Sequence, residues 1–343
     1  MNDNSIYTHF FENLNNNEKT ILCKSITKIF AKRLLFDDRS KIFPECDDNF
    51  LRIEIGMPEN LTFPGHAFAS NGWLPDVKFK IFSTEKMPDL QTTQLFGYQK
   101  IVWLDIQVGE DSFVEREKRE VMNFISKNSN QIVISCLLIA DKNQSKLSLQ
   151  FYLLQPNTGW KKLTKFFYSS KSDFNNLTSS ERGEIGEALA SIFAKRLLYE
   201  NRSAFFPEFD KEFLRIEEGI GIDYSASERI HYSLLLPPNF YTNLSSWEPD
   251  ATFQILTNPD VHDLKYEFFP KKIAFLEAKT GKNSRFERSQ QSDAELYNRM
   301  PNIIVLFCQI LPENSESKLA LNFKIMKDGR NWETIKTFYY SDF

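Results

Sequence analysis

A chain of 343 residues with 41% hydrophobic and 26% charged side chains is long enough for two globular domains, each with its own core. The formal net charge of -4 excludes attraction of nucleic acid by a global positive field, so any such partner must meet a local basic patch. The polar, Asn-rich start "MNDNSIYTHFFENLNNNEK" lacks the layout of a secretory signal, and the longest apolar runs are too short to span a bilayer. The expectation is a cytoplasmic protein with no membrane partner.

The four cysteines, Cys23, Cys46, Cys136 and Cys308, fit no zinc spacing and are expected to be reduced thiols. His9, His66, His231 and His262 are scattered, which argues against a His-based metal site and against a Ser/His/Asp triad.

The chain repeats itself. "IFAKRLLFDDRSKIFPECDDNFLRIE" from residue 29 matches "IFAKRLLYENRSAFFPEFDKEFLRIE" at an offset of 163, and "WLPDVKFKIF" matches "WEPDATFQIL" at an offset of 174. From Leu104 and Leu276 onward the copies run without a gap at an offset of 172. The boundary falls near the polar stretch "SSKSDFNNLTSS", giving domains of residues 1–174 and 175–343.

In chain order each copy opens on a helix. In the second copy this is "GEIGEALASIFAKRLLYE", with Ile185, Leu189, Ile192, Phe193 and Leu197 at helical spacing. Thr178, Ser179 and Ser180 are candidate N-caps. A short strand around "FLRIE" and the alternating "PDATFQIL" follow, then the apolar run "KKIAFLEAK", suited to a central strand. A helix is predicted over roughly 285–299, then strands at "NIIVLFCQIL", "LALNFKIMK" and "WETIKTFYY". The order αβββαβ plus further strands describes an α/β protein with a mixed sheet flanked by helices.

Glu277 and Lys279 are two apart on the central strand and share a face. Asp250 opens the preceding strand and comes beside Glu277 if the two strands are neighbours. Two carboxylates with a carbonyl and water form an oxygen site suited to Mg²⁺, which can activate a bound water, and an adjacent ammonium can stabilise a pentavalent phosphoryl transition state.

Asp250 after a proline, followed 27 residues later by Glu277-Ala278-Lys279, resembles the PD-(D/E)XK nuclease superfamily. "GEIGEALA" is similar to the opening helix of resolvase-like and RecB-type members, which makes Glu187 the matching acid. Gly183, Gly186, Ala190, Ser191 and Ala194 form a small-residue stripe beside it. Gln290 and Tyr297 match the Gln and Tyr of the next helix, with Gln291 an equal candidate for the first. The resemblance implies two tandem restriction-endonuclease-like domains. It implies a second-copy site in which Asp250, Glu277 and Glu187 bind Mg²⁺ or Mn²⁺ and Lys279 positions water.

In the repeat register Glu187 becomes Lys24, Asp250 becomes Asp76, Glu277 becomes Asp105, Lys279 becomes Gln107, Gln290 becomes Lys118 and Tyr297 becomes Ile125. This is the pattern of a degenerate site on an intact scaffold, a pseudo-nuclease. Lys282, Arg285 and Arg288 form a basic edge for phosphates in the second copy only, where the first has Gly109-Glu110-Asp111. Arg229, His231, Tyr232 and Tyr241 lie in an insertion of the second copy. Trp73, Trp160, Trp247 and Trp332 pair through the repeat and read as structural. The function expected is a metal-dependent endonuclease acting on nucleic acid, DNA in preference to RNA, with a protein partner for the degenerate domain as a further option. The alternative is a non-enzymatic module that binds nucleic acid or protein through two inactive scaffolds.

Overall fold

The computed structural model describes residues 8–44, 52–56, 73–82, 100–109, 116–128, 130–141, 146–170, 173–207, 214–219, 247, 249–256, 272–313, 318–327 and 331–342. Cys46 and the insertion bearing Arg229, His231, Tyr232 and Tyr241 lie outside them.

The chain divides into two units. The first is built on residues 14–169 and begins with helix α1 (Asn16–Asp37). Asn15 accepts from the Glu18 amide and Glu18 answers to the Asn15 amide, so a reciprocal cap satisfies donors that a helix start leaves open. A short strand, β1 (Thr8–Phe10), precedes it. The sheet of this unit runs β2 (Arg52–Gly56), β3 (Val77–Phe82), β4 (Lys100–Val108), β5 (Gln131–Asp141), β6 (Lys146–Gln155) and β7 (Gly159–Tyr168), in that spatial order. Among the described strands of this unit, only the β4–β5 pair is parallel; helix α2 (Arg116–Ser126) lies between them in sequence, as a parallel connection requires.

The second unit repeats this plan over residues 170–341. Thr178 and Glu181 cap helix α3 (Ser179–Glu200) in the same reciprocal way. The sheet runs β8 (Arg215–Gly219), β9 (Ala251–Leu256), β10 (Lys272–Thr280), β11 (Ile303–Glu313), β12 (Lys318–Lys327) and β13 (Asn331–Ser341). The parallel pair is β10–β11, with helix α4 (Arg288–Tyr297) between them in sequence. The duplication holds at the level of pairing. Val77 faces Leu104 in one unit and Ala251 faces Leu276 in the other, while Asp105 faces Ser135 and Glu277 faces Phe307.

One boundary differs from the sequence division at 174/175. Strand β1 pairs parallel with β13, Thr8 opposite Tyr339, and makes the second sheet seven-stranded. Residues 8–13 therefore belong with the second unit, and the junction between the units falls at Ser169–Ser170. An isolated β13 would leave a bare sheet edge, and β1 covers it.

β10 is buried along most of its length, as a central strand covered on both faces must be. Its Thr280 side meets α3. A Cβ on Gly186 would come within 2.7 Å of Thr280 Cγ2 and 2.9 Å of Ile310 Cδ1, so the absent side chain is what lets the helix lie so close. The opposite face packs Ile273 and Phe275 with Trp247, Phe286, Ala294 and Tyr297. The first unit fills the equivalent space with Ile101, Trp103, Trp73, Met122 and Ile125. Large and small residues trade places across the repeat, which keeps the core volume. Among the described residues no helix is long and apolar enough to cross a membrane.

Candidate active site

The site lies where β9 and β10 meet. The antiparallel register sets Leu276 opposite Ala251, and the next step brings Glu277 to Asp250. The Ala278 amide donates to Asp250 Oδ2 at 2.7 Å, which fixes that carboxylate at the strand end. Its Oδ1 has no hydrogen-bond partner among the described residues.

Glu277 is almost fully buried, at 1% exposure, and a carboxylate there must be paired or bonded. The Trp247 indole donates to Oε2 at 2.6 Å, the Gln290 amide to Oε1 at 2.9 Å, and the Lys279 ammonium lies 2.5 Å from Oε1. Gln290 is itself aimed, because its Oε1 accepts from the Glu287 amide at the start of α4. Tyr297 sits behind this shell, its ring 5.6 Å from that of Trp247 and 5.3 Å from that of Phe275. Gln290, and not Gln291, is therefore the helix amide at the carboxylate; Gln291 turns to Glu295 and Trp332.

Electrostatics sets the protonation of Asp250. Desolvation first, then the Glu277 carboxylate, raise Asp250 to about 7; the Ala278 bond lowers it, Glu187 adds a further push upward, and Lys279 a pull downward. Burial alone would lower Lys279, but its contact with Glu277 and the nearby Asp250 and Glu287 outweigh that, and it is held above the usual lysine value. Lys279 is thus an ammonium at neutral pH, a charge and not a base.

The three acids do not all share one surface. Glu277 faces Trp247 and α4, whereas α3, which carries Glu187, packs on the Thr280 side. Asp250 stands between them at the strand end and feels both. Among the described residues no group of three carboxylate, imidazole or thiol side chains is gathered for one ion. The convergence expected from the sequence is a coupled pair with an electrostatic third member, not a closed cage. The acids are nonetheless all oxygen donors, and Asp250 feels the charge of both Glu277 and Glu187, an excess of carboxylate that suits a hard divalent ion.

The basic edge follows β10. Gly281, at φ +116°, turns the chain in a region that favours glycine, as does Gly109 at φ +98° in the first unit. Gln309 donates to the carbonyls of Gly281 and Lys282, both at 3.1 Å, and so pins the turn that carries Lys282. Arg285 and Arg288 line an open cleft of about 630 Å³ with Phe286, Phe307 and Trp332. All three cations are on exposed residues.

The equivalent site of the first unit is more complete than its sequence suggests. Ile106 donates to Asp76 Oδ2 at 2.7 Å, matching Ala278 and Asp250. Asp105 is fully buried and takes Trp73 at 3.3 Å, Gln107 at 3.1 Å and the Lys118 ammonium. Strand lysine and helix glutamine have become strand glutamine and helix lysine. The expected loss of the ammonium and of the polar helix residue is thus an exchange: each buried carboxylate keeps one indole, one amide and one ammonium. Lys24, in the place of Glu187, lies 3.0 Å from Asp76 Oδ1.

Sequence reasoning missed Trp247 and Trp73 as ligands of the carboxylates. The available signal was the retained spacing of "WLPD" and "WEPD". Gln309 carried no signal, since the first unit has Leu137 there. No protein-family model matches the chain, and no curated protein matches it.

Proposed function

We propose that the second unit is a metal-dependent phosphodiesterase of the PD-(D/E)XK kind, acting on nucleic acid, with DNA the preferred substrate. The observation that carries this is the closeness of Asp250 and Glu277 where the neighbouring strands β9 and β10 end, with Lys279 on the Glu277 carboxylate. In this reading Asp250 and Glu277 hold Mg²⁺ or Mn²⁺, with Glu187 as outer ligand. When bound, the ion supplies Lewis-acid polarisation of a phosphoryl oxygen and a lowered pKa for a bound water. Trp247 and Gln290 keep Glu277 from rotating, and Lys279 stabilises the charge that builds on the phosphoryl oxygens. Lys282, Arg285 and Arg288 meet neighbouring phosphates. Cleavage of plasmid, single-stranded DNA and RNA with added Mn²⁺ tests it: activity is lost in Lys279→Ala and kept in Gln107→Ala.

A non-enzymatic binding module is the second reading. Both oxygens of Glu277 already accept protein donors, which favours a carboxylate serving the fold. Under that reading wild-type protein cleaves none of the three substrates and binds no divalent ion.

A further inference from the structure

We propose that helix α1 of the first unit is a holding surface for the phosphate backbone of nucleic acid, which it grips through Lys24, Lys28 and Lys32. The inference rests on reading nucleic acid as the substrate of the second unit, and it gives the first unit a binding role that needs neither metal nor cleavage.

Three observations carry it. First, the lysines recur at every fourth residue of α1 and so line one side of the helix. Lys24 and Lys32 are exposed and Lys28 is half-buried. Like charges at this spacing cost helix stability, and between Glu18 and Asp37 the helix has no acid to offset them. A polyanion laid along the stripe relieves that cost. Second, the repeat has exchanged acids for cations at this place. Lys24 and Lys28 stand where α3 has Glu187 and Ser191, and Ile55 stands where β8 has Glu218, which accepts from Ser191 at 2.6 Å. Asp76 is the acid that stays, 3.0 Å from Lys24. Third, residues 14–169 carry more lysine and arginine than aspartate and glutamate, although the whole chain stands at -4. The spacing suits a nucleic-acid strand. Four helical residues advance about 6 Å, and a strand offers a charge about every 3.4 Å along its axis, so each lysine can meet its own phosphate. Leu22, Ile26, Phe30 and Leu34, on the other side of α1, are buried in the core, so the helix has no apolar face to lay into a lipid surface.

The test is fluorescence anisotropy of a short labelled DNA duplex with the full chain in EDTA, where no ion and no cleavage enter, over a range of salt. Wild type is expected to bind, with log affinity falling linearly in log salt. Changing Lys24→Gln, Lys28→Gln and Lys32→Gln together lowers the steepness of that line by about 0.9 per lysine and weakens binding to every DNA sequence alike. The three changed to arginine keep the wild-type slope. Lys161→Gln with Lys162→Gln, exposed on β7 of the same unit, leaves it unchanged. Circular dichroism confirms that each variant is folded. A folded glutamine variant with the wild-type slope overturns the inference, as does an equal loss in the β7 variant, or a wild type that binds no DNA. Tighter stripe-dependent binding of poly-glutamate or of phosphatidylserine vesicles than of DNA also overturns it. Cleavage with Mn²⁺ is scored separately: a chain that binds through the stripe and cuts nothing leaves this inference standing and ends the nuclease reading, and a chain that cuts with its slope unmoved by the glutamine changes does the reverse.

Discussion

Glu277 illustrates what a buried carboxylate demands. Its surroundings are aromatic, and its charge is tolerated because an indole, an amide and an ammonium converge on two oxygens. Removing one donor leaves part of that demand unmet. Trp247→Phe keeps the packing and deletes the N–H, so it should lower unfolding free energy by about 1–3 kcal/mol in denaturant titrations without metal. Trp73→Phe, whose bond is 3.3 Å against 2.6 Å, should cost less. Asp250 makes a second residue-scale prediction. Its folded-state value of about 7 lies above the ordinary 3.8, so between these pH values the folded chain holds a proton that the unfolded chain has released. Its contribution to stability is full below the lower value and is lost as pH rises through about 7. If Asp250 holds the proposed ion, metal and proton compete for it, so Mn²⁺ affinity should rise about tenfold per pH unit up to about 7 and then level off. Asp250→Asn should flatten that profile; an unchanged slope would place the titration elsewhere.

At the scale of elements, what mattered most was how close α3 comes to β10. Gly186→Val adds a side chain where even a Cβ is too near Thr280 and Ile310. Thermal unfolding should show a loss of about 1–3 kcal/mol, whereas the first unit already houses Cys23 at the equivalent place. The small-residue stripe made this approach legible in the sequence, and apolar periodicity made the helices and strands legible. Strand neighbourhood was legible too, since Asp250 and Glu277 fall together once β9 and β10 pair. The exchange of Lys279 and Gln290 for Gln107 and Lys118 was not. Position-by-position comparison scores two losses there, because nothing in a linear register says that a strand position and a helix position reach the same oxygen atoms. The direction of α3 was equally hidden: strand alternation assigns Glu277 to a face, but only packing tells which face a helix covers.

For the whole molecule the duplication yields two units in which a buried carboxylate keeps an indole, an amide and an ammonium, while Glu187 of one is Lys24 in the other. If the second unit cuts alone, supercoiled plasmid should pass through open circle before linear, since two strands need two separate events. Linear product with no open-circle stage on a gel time course would contradict a single working site. The overall plan could be read from the repeat, but the domain limits could not. "THF" at the start has no counterpart that marks it as a strand of the other half, and its place is decided by the exposed backbone of β13.

That exchange sets a clock on biogenesis. Strand β1 pairs with β13, which is made far later in the chain, Thr8–Phe10 with Tyr339–Ser341. At a translation rate of roughly 5–20 residues per second, β1 waits tens of seconds for its mate. A chain that stops short of β13 would leave β1 without its partner and β12 as a bare edge.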